Sequence, residues 1–128
     1  MNRETGRRKI TKQQKGAAAE EAAVRFLMLK GLQILDRNWR CRFGELDIVA
    51  LDRDQLVFVE VRSRSATGFF GTPGESVDFR KIQQVRGTAR QYIHMNHYDH
   101  MQIRFDVVAV ILSAELEEES LDHIPNAF

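Results

Sequence analysis

The alternation of apolar and polar positions divides the chain into two helical and four extended segments. From Thr11 to Lys30 the apolar residues recur at helical spacing, and Gly31 supplies a C-terminal stop. At about 100° per residue, Ala19, Ala23, Val24, Phe26, Leu27 and Met28 fall within about 120° on either side of Glu20. Glu21 lies at the edge of that arc and Arg25 outside it, so the pattern points Glu20 into the packed side of the helix. Leu32–Trp39, Glu45–Leu51, Gln55–Ser63 and Ile103–Leu112 read as strands. The short Asp52-Arg53-Asp54 link joins the second and third as an antiparallel hairpin. Val77, Ile82, Val85, Ala89, Tyr92 and Ile93 mark a second helix over Ser76–Asn96. The order αβββαβ predicts an α/β domain, a small mixed sheet flanked by helices. Ser65–Glu75, with Gly68, Gly71, Pro73 and Gly74, is expected to be a long loop of the kind that covers sites.

Two carboxylates interrupt strands that are otherwise apolar enough for an interior. Asp47 sits in LDIVAL and Glu60 in LVFVEVR. A buried carboxylate without a partner costs several kcal/mol, so a cation or a hydrogen-bond network must meet it. Strand alternation groups Glu45, Asp47, Val49 and Leu51 on one face of the second strand, and Leu56, Phe58, Glu60 and Arg62 on one face of the third. The hairpin then brings Asp47 and Glu60 to the same side of the sheet, with Arg62 beside them. Mg²⁺ and Mn²⁺ take oxygen ligands, usually one or two carboxylates plus water and substrate phosphate. Asp47, Glu60 and a backbone carbonyl near Val61 meet that demand, and an inward Glu20 would complete the shell or accept from a bound water. The expectation is three acids, distant in the chain, converging on one divalent ion.

The competing account is ion pairing, Asp47 with Arg62 or Arg42 and Glu60 with Arg104, but it gives no reason for an inward Glu20. Glu45 reads as a polar rim residue, and Arg104 with Asp106 as a structural pair. Lys81 divides evenly between a phosphate contact and a solvated helix start. His94, His97 and His100 read as a solvated cluster, since no cysteine accompanies them to make a zinc site. Phe69 and Phe70 are expected to dock their loop on the core, and Trp39 to pack at a strand end.

Composition narrows the class without naming the chemistry. A chain of 128 residues with 43% hydrophobic and 29% charged residues is the size and make-up of one soluble domain. Its single cysteine, Cys41, excludes an internal disulfide and fits a reducing compartment. No apolar run reaches the length of a membrane helix, and no secretory signal is visible, so a cytoplasmic location is expected. The net charge of +1 hides an uneven distribution. Arg3, Arg7, Arg8, Lys9, Lys12 and Lys15 face only Glu4 near the N-terminus, whereas Glu115, Glu117, Glu118, Glu119 and Asp122 have no basic neighbour near the other end. This suggests a basic arm over residues 1–14, a domain over 15–112 and an acidic tail over 113–128. Both ends read equally well as solvated tails.

One resemblance covers nearly the whole chain, from Lys15 to Leu112. Gly16 and Glu20 are followed in order by Asn38-Trp39-Arg40, Gly44-Glu45-Leu46-Asp47-Ile48-Val49-Ala50, Val57-Phe58-Val59-Glu60-Val61-Arg62-Ser63-Arg64, Lys81 and Arg104-Phe105-Asp106-Val107-Val108. The ordered set resembles the small bacterial family called YraN-like or UPF0102, usually placed in the PD-(D/E)xK nuclease superfamily near archaeal Holliday-junction resolvases. The resemblance implies a restriction-endonuclease-like αβββαβ core and Mg²⁺- or Mn²⁺-dependent cleavage of phosphodiester bonds in DNA, branched or otherwise structured. It places Asp47 and Glu60 on the two metal-binding acids and Glu20 on the helix-one acid of the resolvase branch. Arg62 stands where the motif usually has lysine. A guanidinium cannot give up its proton but can clamp a phosphate through two N–H donors. DNA contacts are expected from the basic arm and from Arg40, Arg42, Arg64, Arg80 and Lys81. Resolvase-like relatives act as symmetric pairs, so a homodimer is expected. A DNA-binding module on the same fold with little or no turnover, and a protein-interaction adaptor, are the alternatives.

Overall fold

The order αβββαβ is present, with one strand added at its end. The elements are α1 (Lys12–Leu29), β1 (Gln33–Cys41), β2 (Gly44–Asp52), β3 (Gln55–Ser65), α2 (Phe79–Met95), β4 (Gln102–Leu112) and β5 (Glu118–Ile124). They are seen in a computed structural model that describes residues 9–66 and 79–128. Arg3, Glu4, Arg7 and Arg8 of the basic arm lie outside the described residues, as do Phe69, Phe70, Val77 and most of the Gly-rich stretch.

Both ends of α1 follow from local chemistry. The Thr11 hydroxyl accepts from the Gln14 N–H at 3.1 Å, and the Gln14 side chain accepts from the Thr11 N–H at 2.8 Å, so two otherwise unpaired donors are satisfied reciprocally. At the other end Gly31 takes φ +97, which lets its N–H reach the Met28 carbonyl and the Leu32 N–H reach the Leu27 carbonyl, both at 3.0 Å. Leu27 and Leu32, which that turn brings together, are both buried. The buried face runs through Ala19, Ala22, Ala23, Val24 and Leu27, so its centre is nearer Ala23 than Glu20. Met28, expected inside, is therefore exposed, while Glu20 stays inside the edge of the arc and Glu21 and Arg25 face water.

The five strands run in the order β1-β2-β3-β4-β5. β1–β2, β2–β3 and β4–β5 are antiparallel, and β3–β4 is parallel because α2 carries the chain back across the sheet. One core lies under α1, built on Ile48, Ala50, Val57, Val59, Val108 and Val110. A second lies under α2, where Val49, Leu56, Phe58 and Phe105 meet Val85, Ala89 and Tyr92. Being covered on both sides explains why the central strands read as nearly continuous apolar runs.

Residues 118–124, expected within a solvated acidic tail, form the edge strand β5 against β4. Leu121 packs on the α1-side core, while Glu118, Glu119 and Ser120 face water. His123 turns inward, its Nε2 lying 2.8 Å from Asp106 Oδ2 and its Nδ1 3.2 Å from Lys30 Nζ. Charged residues along an edge strand oppose further pairing, which is the usual protection of such edges.

Candidate functional site

The hairpin of β2 and β3 opens at one end, and a side chain causes the opening. Their backbone pairing ends at Ile48 opposite Val59. Beyond it, Asp47 Oδ2 accepts from the Val61 N–H at 2.9 Å, taking a position that a β2 carbonyl would occupy in a regular ladder. The strict alternation of β2 is lost here as well. Leu46, expected on the face of Ile48 and Ala50, packs instead in the α2-side core with Val49. Asp47 consequently borders two clefts, one beside α1 with Gly16, Glu20, Asn38 and Ser63, the other beside α2 with Gly44, Glu45, Lys81 and Gln84.

Glu60 lies on the α2 side, only 4% exposed, with the Lys81 Nζ 3.6 Å from its Oε1. Glu20 approaches Asp47 from the α1 side. Its Oε1 accepts from Asn38 Nδ2 at 3.0 Å and lies 3.5 Å from Arg37 Nη2, and its Oε2 is buried with no hydrogen-bond partner. Among the described residues, no three carboxylates, histidines or cysteines gather tightly enough to hold an ion by themselves. The expected convergence of three acids is thus corrected: among the described residues they do not form one ion-holding group, since Glu20 and Asp47 line the cleft beside α1 and Glu60 faces Lys81 of α2.

Burial dominates the electrostatics of this end of the sheet. It pushes the Glu60 carboxyl up to about 7, helped by the charge of Asp47 and opposed by Lys81 and Arg62. Asp47 is raised for the same first reason, with the Val61 N–H and Lys81 pulling the other way. Two adjoining carboxylates that resist ionisation favour a cation beside them. Asp47 and Glu60 offer oxygen donors of the kind that hard divalent cations take, and Glu20, with its Oε2 buried and without a hydrogen-bond partner, lines the neighbouring cleft.

The remaining expected residues fall into place unevenly. Arg62, half-buried, has an Nε without a hydrogen-bond partner, close enough to Glu60 to lower its proton affinity. Lys81, expected either at a phosphate or at a solvated helix start, is half-exposed and faces Glu60. Arg40 is 74% exposed and reaches Glu45 at 3.4 Å, as a rim pair. Arg42 and Arg80 are exposed, and Arg64 is half-buried. Arg104 does not pair with Glu60. It binds Asp106 through two N–H donors at 2.9 Å and Asp52 and Gln55 at 3.0 Å, at the far end of the sheet. His94, His97 and His100 are solvated, as expected.

Asn38 and Arg37, which hold Glu20, were not assigned roles from the sequence. The trace they leave is an asparagine inside a strand, here at φ +52, a conformation asparagine tolerates better than most residues. Gln84 and Thr88, which pack against Gly44, leave none.

Residues 19–110 match the Uncharacterised protein family UPF0102. A UPF0102 protein of Myxococcus xanthus is 50% identical over 114 residues, covering 88% of this chain and 87% of the relative. One from Caldanaerobacter subterraneus is 41% identical over 122 residues, covering 94% and 99%. One from Clostridioides difficile is 43% identical over 119 residues, covering 93% and 100%.

Proposed function

The chain belongs to the uncharacterised protein family UPF0102, and for it we propose a metal-dependent endonuclease that cleaves phosphodiester bonds in DNA. The observation that carries this reading is the broken rung of the hairpin, where the Asp47 carboxylate binds the Val61 N–H beside a buried Glu60 of raised proton affinity. Asp47 and Glu60 are the residues that would hold Mg²⁺ or Mn²⁺, which when bound activates water and neutralises charge on the phosphate. Arg62, next to Glu60, is placed to donate N–H groups to the scissile phosphate and stabilise the charge that builds there. Lys81 supplies the amine that the motif position lacks, reaching in from α2 rather than from β3. Glu20, fixed through one oxygen by Asn38 and Arg37, presents the other toward the α1-side cleft as a proton acceptor. Arg40, Arg42, Arg64 and Arg80 add salt-dependent affinity for the backbone.

Nicking of a labelled four-way junction and of a plain duplex, with Mg²⁺ or Mn²⁺, tests this reading. Wild type should give product that EDTA abolishes, and Asp47→Ala should give none. Equal cleavage by Asp47→Ala, or no cleavage by wild type, overturns it. A second reading, a DNA-binding module that turns over little, draws on Arg62 at the lysine position. DNA binding that survives EDTA, with no product under any divalent ion, would select it. Two copies acting together on a symmetric junction would appear as a dimer by sedimentation.

A further inference from the structure

The turn between β1 and β2 ends in an aromatic residue that the core does not use. Cys41 pairs with Gly44, leaving Arg42 and Phe43 as a two-residue tip, and Phe43 is 52% exposed. The Arg42 guanidinium lies 5.7 Å from the centroid of its ring, so the apolar surface carries a cation. The tip is held in place. A Cβ on Gly44 would meet Thr88 Oγ1 at 2.8 Å and Gln84 Nε2 at 3.2 Å, so the strand lies directly on α2. Gln84 Nε2 also donates to the Phe43 carbonyl at 3.4 Å. Phe43, Gly87, Arg90 and Gln91 line a shallow groove alongside, where the missing side chain of Gly87 leaves space.

We propose that Phe43 is a base-stacking residue that makes the protein select DNA in which a base stack ends, such as a fork, flap or junction, over continuous duplex. This rests on the endonuclease reading for the adjoining cleft and names its substrate class. Gly44, Glu45, Asp47 and Lys81 line that cleft, and strand rise places Phe43 about 13 Å from Asp47. That span is roughly four stacked base steps along one strand. Within a duplex every base face is already covered by its neighbours. A ring on a fixed tip gains a stacking partner only where an unpaired base exposes its face. The charge around the tip has the matching sign: Arg42 and Arg90 are exposed beside Phe43, and the nearby acid Glu45 is met by Arg40. Trp39, the other aromatic of this hairpin, packs edge-on against Tyr92 and is occupied in the core.

Binding is measured in EDTA, so that no cleavage intervenes, with forked DNA carrying 2-aminopurine at its branch point and with a duplex of equal length. Wild type should prefer the fork by about tenfold and quench the 2-aminopurine on binding. Phe43→Ala and Phe43→Leu should bring fork affinity down to the duplex level and remove the quenching, with duplex affinity unchanged, and Phe43→Trp should retain both. An unaltered fork preference in Phe43→Ala, or an equal loss on fork and duplex, overturns the proposal. If wild type binds the fork through Phe43 and never cleaves it, the catalytic reading falls and the stacking role stands. If wild type cleaves but Phe43→Ala keeps the preference, only the stacking role falls, and absence of any DNA binding removes both.

Discussion

Replacing Glu60 by glutamine tests whether this carboxylate is held for a cation that the protein alone does not supply. In the folded chain Glu60 keeps its proton up to about pH 7, whereas an unconstrained glutamate releases it near 4.5. Between those values the folded state binds more protons than the unfolded one, so stability falls as pH rises through the window and levels off above it. At about 1.4 kcal/mol per tenfold change in proton affinity, the gap amounts to about 3 kcal/mol. Glu60→Gln has nearly the same shape and no charge to bury, and Lys81, 43% exposed, keeps its access to water. In EDTA the advantage of the variant over wild type should grow by about 2–3 kcal/mol between pH 5 and pH 8. Asp47 is raised in the same direction and repels Glu60, so its own slope is shallower in the variant and the difference between the two proteins keeps its sign. Urea unfolding at pH 5, 6, 7 and 8 measures this. Mg²⁺ or Mn²⁺ added at pH 8 should then raise the wild-type midpoint, by about 2.7 kcal/mol at a hundred times the dissociation constant, and leave the variant unmoved. A variant less stable than wild type at pH 8 would refute the reasoning, because Glu60 would then be a satisfied partner of Lys81 with no need of an ion.

Two further outcomes concern the scaffold. Asp106, fully buried, accepts from Arg104 twice and from the Asn126 N–H at 3.1 Å, with His123 also in reach, so Asp106→Asn removes one of the two counter-charges of the half-buried Arg104 and leaves Asp52. Urea unfolding should show a loss of about 3–5 kcal/mol, and nicking per folded molecule should stay at the wild-type level because Asp106 lies on β4, two strands away from Asp47. The glycines should respond with opposite signs in thermal unfolding. Gly16→Ala, with nothing within 4 Å of the new methyl, should stabilise α1 by about 0.5–1 kcal/mol. Gly44→Ala should cost about 1–3 kcal/mol, from its φ of +154 and the contact with Thr88.

The sequence by itself determined six of the seven elements and singled out Glu20, Asp47 and Glu60, because both are written in short-range periodicity. Helical spacing alone turned Glu20 inward and Glu21 outward, and apolar neighbours alone marked Glu60 as buried, whereas Asp47, marked in the same way, is only half-buried at the edge of the clefts. Even the stop at Gly31 needed nothing beyond its own turn. Only the tertiary structure decided which residues face one another. β5 could not be foreseen, since Glu118, Glu119 and Asp122 look like any solvated acidic run until β4 offers them an edge. Arg104 was free on paper to meet Glu60, but the parallel register of β3 and β4 sets it near Asp52 and Gln55. Counting alternate positions assumed an unbroken ladder, and Asp47 departs from it by taking the Val61 N–H, which sets it at the edge of both clefts. Periodicity belongs to the local backbone, whereas pairing across strands and faces depends on register and packing, and these exist only once the chain has closed on itself.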